Sequence, residues 1–500
     1  MNKSNFTVKK LVCLLLCAVF TLSSVSLLAS CGNNAESTIG ETRAPGTETE
    51  APDVPDVMDR KFDGYEFNIL ISSRSSRTPN DFEPKDSDSA MGIAAYTRKL
   101  RMIEKYGVNI TFVENFDSNA ENLLAHSAME TQYNSQTNDY DMGVIGTYAV
   151  APITTKGLLY DLNAIPYLDL TKSWWDQTVV RDLTISDSIY YVSGDITTTV
   201  DDYMYCTVFN KEMYNEYIVD GTDVYSLVEE GKWTLDHLQR LTKLVSEDLN
   251  GDDKMDGNDK FGLMTWYDEM FASVQAAGGR IAQVNEDGYM ELCLQSERNF
   301  DVMRKYMELE TAPSTMNFQD TEKLAGVSWP SIFTEGRAMF FMTILNEVSR
   351  FRDMETDYGI LPNPKYEEDQ EGWFCTFSAG LASFVAVPGY QEDIERTGII
   401  IELLGYEGVT TIKPGYYEKT LKGTYVHDEE SIDSLTILLD NKYVDIGHYY
   451  RIGGLNTVMW NVAKSGSAGS FASRYEEVRA QAEAQVKEIN EGFDILKTKN

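Results

Sequence analysis

Three short runs decide the fold: YEFNILI (65–71), EKYGVNITF (104–112) and NDYDMGVIG (138–146). In the first, Tyr65, Phe67, Ile69 and Ile71 alternate with other residues, the period of a strand. In the second, Val108, Ile110 and Phe112 alternate in the same way. Between them Ile93, Tyr96, Leu100, Ile103 and Tyr106 recur at helical spacing, and Gly107 stands where a helix is closed by a left-handed residue. A second helical stretch is expected around 120–129. Asp141 to Gly146 then reads as a buried parallel strand ending in glycine. The order is β-α-β-α-β, the pattern of a doubly wound α/β sheet. Such sheets bind ligands at the carboxyl ends of their strands, which places interest on the loops after Ile71 and Ile145.

Upstream of this unit the chain changes character. Lys3, Lys9 and Lys10 precede an apolar stretch at 11–20 that continues more loosely to Leu28, and small residues lead to Cys31. That is the layout of a signal peptide over residues 1–30. The run Leu28-Ala29-Ser30-Cys31 resembles the lipobox of bacterial lipoproteins, which implies lipidation of Cys31 and an extracytoplasmic chain anchored to the cell membrane. Residues 31–60 are polar, acidic and rich in Pro and Thr. They hold too little apolar surface to fold and read as a tether. Later apolar runs such as GIIIELLG and LASFVAVPG are too short to span a bilayer.

The 500 residues carry 79 acidic and 43 basic side chains, a net charge of −36, and three of the lysines leave with the signal segment. Such a body repels nucleic acid and anionic headgroups. Of six cysteines, Cys13, Cys17 and Cys31 belong to the N-terminal segment. Cys206, Cys293 and Cys375 remain, too few and too far apart for a disulfide framework or a cysteine zinc site, though one bridge is open. A body of this size calls for two lobes. Downstream, Thr234 is placed to cap a helix bearing Leu238, Leu241, Leu244 and Val245. Residues 297–312 and 390–404 look helical. Ser473-Arg474-Tyr475-Glu476 matches a capping box ahead of a face made by Tyr475, Val478, Ala482, Val486 and Ile489.

The order of the signposts resembles one family. EKYGVNITF is followed by NDYDMGVIG, GLLYDL, SIYYVSGD, DYMYCTVFNK, KWTLDHLQRL, FTEGRAMFF and DYGILPNPKY. Over residues 62–490 this sequence is similar to the extracellular solute-binding proteins of carbohydrate ABC importers, of the maltose-binding type. The resemblance implies a class II periplasmic-binding-protein fold: two lobes, each a sheet flanked by helices, linked by a hinge and closing on ligand. It implies crossings near Cys206 and near 375–378. Lobe one would be 62–205 plus 378–430, and lobe two 206–377 plus 431–500. It further implies a monomeric receptor that takes an oligosaccharide or similar polar solute to ABC permease subunits.

Sugar sites set aromatic faces against sugar C–H surfaces and use carboxylates and amides for hydroxyls. Position selects the candidates. Tyr148 follows the strand ending at Gly146. Asp202 and Tyr203 precede the first crossing. Trp266 and Tyr267 follow Phe261-Gly262-Leu263-Met264. Asn346 and Glu347 follow FTEGRAMFFMTIL, and Trp460 lies in the C-terminal region. The pair Trp174-Trp175 reads better as a loop anchor. A separate run, 248–259, sets oxygen donors at EF-hand spacing: Asp248, Asn250, Asp252, Asp256 and Asp259, with Lys254 offering its carbonyl. It resembles the calcium loop of dockerins and predicts a structural Ca²⁺, although Asp253 stands where glycine is wanted. The four histidines are scattered, and no H-E-x-x-H, G-x-S-x-G or Walker-type loop occurs, so a non-catalytic receptor is expected. A membrane-tethered glycoside-active enzyme and a surface glycan-docking protein are the rival readings.

Overall fold

Thirteen strands build two main sheets and one hairpin among the described residues of the computed structural model, which are 53–74, 78–83, 88–116, 123–417 and 428–498. The signal segment 1–30, the lipidation site Cys31 and the tether up to residue 52 lie outside them. No helix among the described residues is long and apolar enough to cross a membrane.

The first sheet holds β1 (Tyr65–Ser72), β2 (Val108–Glu114), β3 (Met142–Gly146), β4 (Tyr191–Val192) and β13 (Ser383–Ala386), in the order β2-β1-β3-β13-β4. β1 is parallel to β2 and to β3, as the β-α-β-α-β pattern requires, whereas β13 runs antiparallel to β3 and β4. The sheet is therefore mixed. β1 is buried on both faces from Ile69 onward, because helices cover both sides.

The second sheet holds β5 (Tyr205–Asn210), β6 (Ser246–Glu247), β7 (Lys260–Thr265), β10 (Thr315–Asn317), β11 (Ala338–Ile344) and β12 (Tyr358–Pro362). Its order is β10-β7-β11-β5-β12, with β6 beside β7. β7 is parallel to β10 and β11, while β5 is antiparallel to β11 and β12. β8 (Ala282–Val284) and β9 (Met290–Leu292) form a separate hairpin. Cys206, Cys293 and Cys375 are free thiols.

Between the sheets the chain passes side by side with itself. The Tyr205 N–H donates to the Thr376 carbonyl at 2.9 Å, and the Ser378 N–H to that of Tyr203 at 2.9 Å. A third segment joins them: Cys375 N–H donates to the Asn441 carbonyl and Tyr443 N–H to that of Cys375, both at 2.8 Å. This is a narrow backbone ladder, three segments wide.

Three expectations are corrected. The helix after β1 runs Ala90–Arg101 and continues to Tyr106, with Gly107 at φ 69° closing it. Its packed face is not the predicted one: Ile93 and Tyr96 are 57% and 58% exposed, while Met91, Ala94, Ala95 and Arg98 are buried. The small face is chosen because the helix Ile412–Tyr417 lies close against it; a Cβ on Gly415 would come within 2.4 Å of Ala94 Cβ. Arg98 is tolerated there because its guanidinium donates to the carbonyls of Ile196 and Asp81 at 2.7 Å each. The helix starting at Leu235, capped by Thr234, ends at Thr242, so Leu244 lies beyond it and is 51% exposed. The capping box at 473–476 does not form. The last helix begins earlier and spans Phe471–Lys497, which puts Ser473 inside its first turn, donating to the Ser470 carbonyl.

Candidate functional site

The strand directions of both sheets bring their loop-bearing ends to one place. In the first sheet the carboxyl ends of β1 and β3 deliver Arg74 and Tyr148, and antiparallel β13 is entered from the same edge by residues 378–381. In the second sheet the carboxyl ends of β7 and β10 deliver Trp266, Asp268 and Gln319, and antiparallel β5 starts there with Tyr205. These residues, with Phe271 and His448, line a cavity of about 270 Å³ between the two sheets. Strand-end placement follows from topology alone: side chains just past parallel strands escape the packed sheet and converge on a shared edge.

The aromatic members are held in place. Trp266 stacks on Phe318 at 5.6 Å and 22°, and its other neighbour, Tyr205, lies tilted at 5.8 Å. The indole N–H of Trp266 donates to Glu269 Oε1 at 3.0 Å, and Asn363 Nδ2 donates to Glu269 Oε2 at 2.9 Å. Burial raises the Glu269 carboxyl to about 8, so it is neutral at neutral pH and does not set a second charge beneath the cavity. Tyr148 sits in the helix Thr147–Thr155, whose internal Pro152 removes the N–H that would bond the Tyr148 carbonyl.

A relay behind Tyr148 fixes its hydroxyl. Thr376 Oγ1 donates to Gln275 Oε1, which turns the Gln275 amide nitrogen toward His448 Nδ1 at 3.5 Å. His448 Nε2 meets the Tyr148 hydroxyl at 2.9 Å. Burial, with Arg451 nearby, lowers His448 to about 4, so the imidazole is neutral. With Nδ1 accepting, Nε2 carries the proton and donates to the Tyr148 oxygen.

Asp268 is the one carboxylate among the described lining residues. Burial raises it to about 6, against the pull of Arg74 and a hydrogen bond with Gln319. It is ionised above that pH and offers acceptors to hydroxyl groups, while Arg74 offers donors from the opposite sheet. Aromatic faces, one anion, one cation and the neutral polar side chains of Gln319, Ser378 and His448 suit the capture of an uncharged polyhydroxyl solute.

Of the residues singled out from sequence, Tyr148 and Trp266 line this cavity. Tyr267 and Trp460 sit beside each other instead, edge to face at 5.3 Å. Asp202 and Tyr203 are buried at the ladder between the sheets, Asn346 is buried just beyond β11, and Glu347 is paired with Arg350. Arg74, Asp268, Gln319 and His448 were missed. Arg74 lies in the loop the strand rule pointed to, and Asp268 follows the chosen aromatic pair by one residue. Nothing in the sequence marks His448. Trp174 and Trp175 are 1% and 2% exposed, as loop anchors are.

The run 248–259 forms the turn between β6 and β7. Asp253 adopts φ 63°, the left-handed conformation the sixth position of such a loop demands. Asp248 accepts N–H groups from Gly251 and Asp253, and Asp259 from Leu249 and Asp256. Among the described residues no group of three or more His, Cys, Asp or Glu side chains is gathered as a metal would need.

The sequence matches no protein-family model and no curated protein. Solved structures do match. An ABC substrate-binding protein of Listeria monocytogenes in complex with cycloalternan aligns over 84% of this chain and 99% of its own, at 13% identity and TM-score 0.54. The fold is that of the solute-binding proteins of ABC transporters. The maltose/maltodextrin-binding domain of Bdellovibrio bacteriovorus bound to maltotriose aligns over 84% and 100%, at 13% identity and TM-score 0.51. The galacto-N-biose-/lacto-N-biose I-binding protein of Bifidobacterium longum, in complex with lacto-N-biose, aligns over 85% and 98%, at 12% identity and TM-score 0.53. In this fold the two sheets described above are the cores of the two lobes, and the cavity lies between them.

Proposed function

We propose that this protein is a non-catalytic receptor that captures an oligosaccharide between its two lobes and hands it to ABC permease subunits. The observation that carries the reading is the cavity itself. Residues from both sheets face it, and they pair aromatic surfaces (Tyr148, Tyr205, Trp266) with an acceptor and a donor set in opposite lobes (Asp268, Arg74). A solute there bonds both halves at once, so its binding energy exists only when the halves are together, which is the condition for ligand-driven closure. The hinge is the ladder formed by 203–205, 375–378 and 441–443. The sugar ligands of the three matched proteins support the chemistry. The lipobox-like run at Cys31 and the acidic tether supply the membrane anchor outside the cytoplasm. A calcium ion held by Asp248, Asn250, Asp252, Asp256, Asp259 and the Lys254 carbonyl would brace the β6–β7 turn, at a distance from the sugar.

Calorimetric titration against malto-, cello-, xylo- and manno-oligosaccharides tests the reading, with the solution assayed for new reducing ends. Saturable one-to-one binding without product is expected for at least one series. Product release would make the protein an enzyme, and the absence of binding throughout would remove the sugar reading.

A further inference from the structure

The aromatic wall of the cavity stands on a buried acid. Glu269 opens the helix Glu269–Ala276, just past Trp266, and is fully buried. A carboxyl taken out of water is costly unless a cation or well-placed hydrogen bonds meet it. The charged groups that bear on Glu269 most are themselves acidic, Asp268 beside it in the chain and Glu310 at the end of the helix Glu297–Glu310. What meets Glu269 is a pair of hydrogen-bond donors.

Each carboxyl oxygen has its own donor. The Trp266 indole N–H reaches Oε1 at 3.0 Å, and Asn363 Nδ2 reaches Oε2 at 2.9 Å. Asn363 is itself held, because Thr207 Oγ1 donates to its Oδ1 at 2.9 Å. The Glu269 backbone N–H donates to the Trp266 carbonyl at 3.2 Å, and the Tyr306 hydroxyl donates to the same carbonyl at 3.0 Å. Glu269 therefore grips Trp266 at the main chain and at the indole. The neighbouring rings do not do this. Stacking on Phe318 fixes the tilt of the indole plane but leaves the ring free to turn within that plane. A directional bond at the ring's edge stops the turn, and Glu269 accepts it.

We propose that Glu269 is a positioning residue of the solute site: through the indole N–H it sets the edge that Trp266 turns to a sugar ring, and it acts as a hydrogen-bond acceptor rather than as a charge. The proposal rests on the reading of the cavity as the sugar site. Glu269 is not among the described residues that line the cavity, so its effect on a sugar passes through Trp266. Burial raises its carboxyl to about 8, which leaves it uncharged at neutral pH, as glutamine is. A glutamine carbonyl there keeps the bond from Trp266. Its amide nitrogen then meets Asn363, whose own amide turns over to accept it and donates to the Thr207 hydroxyl instead.

The test is calorimetric titration of the full chain in detergent with malto-, cello-, xylo- and manno-oligosaccharides, followed in the series that wild type binds. Glu269→Leu strands the indole N–H and is expected to weaken binding about tenfold. Glu269→Gln returns the acceptor and should recover affinity to within about twofold of wild type. Trp266→Phe keeps a ring but has no N–H, and beside it Glu269→Leu should cost nothing further, since the two residues act as one unit. Should Glu269→Leu fail to fold, Asn363→Ala, which removes the support behind the Glu269 carboxyl, replaces it, with a loss of about threefold that again disappears beside Trp266→Phe. Full affinity in the disrupting variant, no recovery in Glu269→Gln, or the same loss with and without the indole N–H overturns the positioning role while the sugar site stands. No binding of any sugar by wild type overturns the reading of the cavity, and the positioning role with it.

Discussion

Asp268 is the residue where burial and charge meet in the cavity. Its carboxyl is raised to about 6 by desolvation, so it gains a proton within an accessible range and loses its acceptor character there. Sugar affinity is therefore expected to be flat above that value and to weaken as pH falls through about 6. Asp268→Asn should lower affinity about tenfold or more, the worth of a hydrogen bond to a charged group, and should remove the pH dependence. Calorimetry across that range checks both; an unchanged pH profile in the variant would assign the dependence elsewhere. At this scale the sequence was partly legible. Tyr148 and Trp266 could be placed at the cavity because strand ends are visible as breaks in an apolar run. His448 was not, because its role comes from Gln275 and Tyr148, which are 173 and 300 positions away in the chain. Arg74 was not, because only the opposing lobe makes an exposed arginine part of a site.

Among the elements, the turn 248–259 makes the clearest demand. Asp259 is fully buried, and its two oxygens accept the N–H groups of Leu249 and Asp256. Asp259→Ala strands both donors and is expected to cost about 3 kcal/mol of stability, read as a lowered denaturation midpoint. If the turn takes calcium, millimolar Ca²⁺ raises the melting temperature of wild type and not of Asp248→Ala, and a chelator reverses the rise; identical melting with and without Ca²⁺ would make the turn a hydrogen-bonded one that needs no cation. The spacing of donors was legible because ligand order is a local property. The helix Ala90–Arg101 was misread for the opposite reason. Its periodicity announced a helix correctly, but the choice between its large and small faces was made by a helix more than 300 residues downstream. The capping box at 473 failed similarly, since packing against the rest of the molecule extends the last helix past a local start signal.

At the scale of the whole molecule, the two sheets share one design. Each turns the strand ends that line the cavity toward the other, and three backbone segments tie them at a narrow ladder. The β-α-β-α-β opening was legible, and so was the need for a second lobe. The antiparallel entry of β13, which returns the chain to the first sheet, was not, because strand direction depends on a crossing made 180 residues after β4 has been laid down. That return is what places 378–381 opposite Tyr205 and Trp266 and gives the cavity walls from both sides. The most direct measurement is a crystal structure of the protein with the sugar that binds best in titration. A sugar ring lying against Trp266, with hydroxyls bonded to Asp268 from one lobe and Arg74 from the other, is the expected result. A sugar held by residues of one lobe alone, or seated away from this cavity, would contradict it.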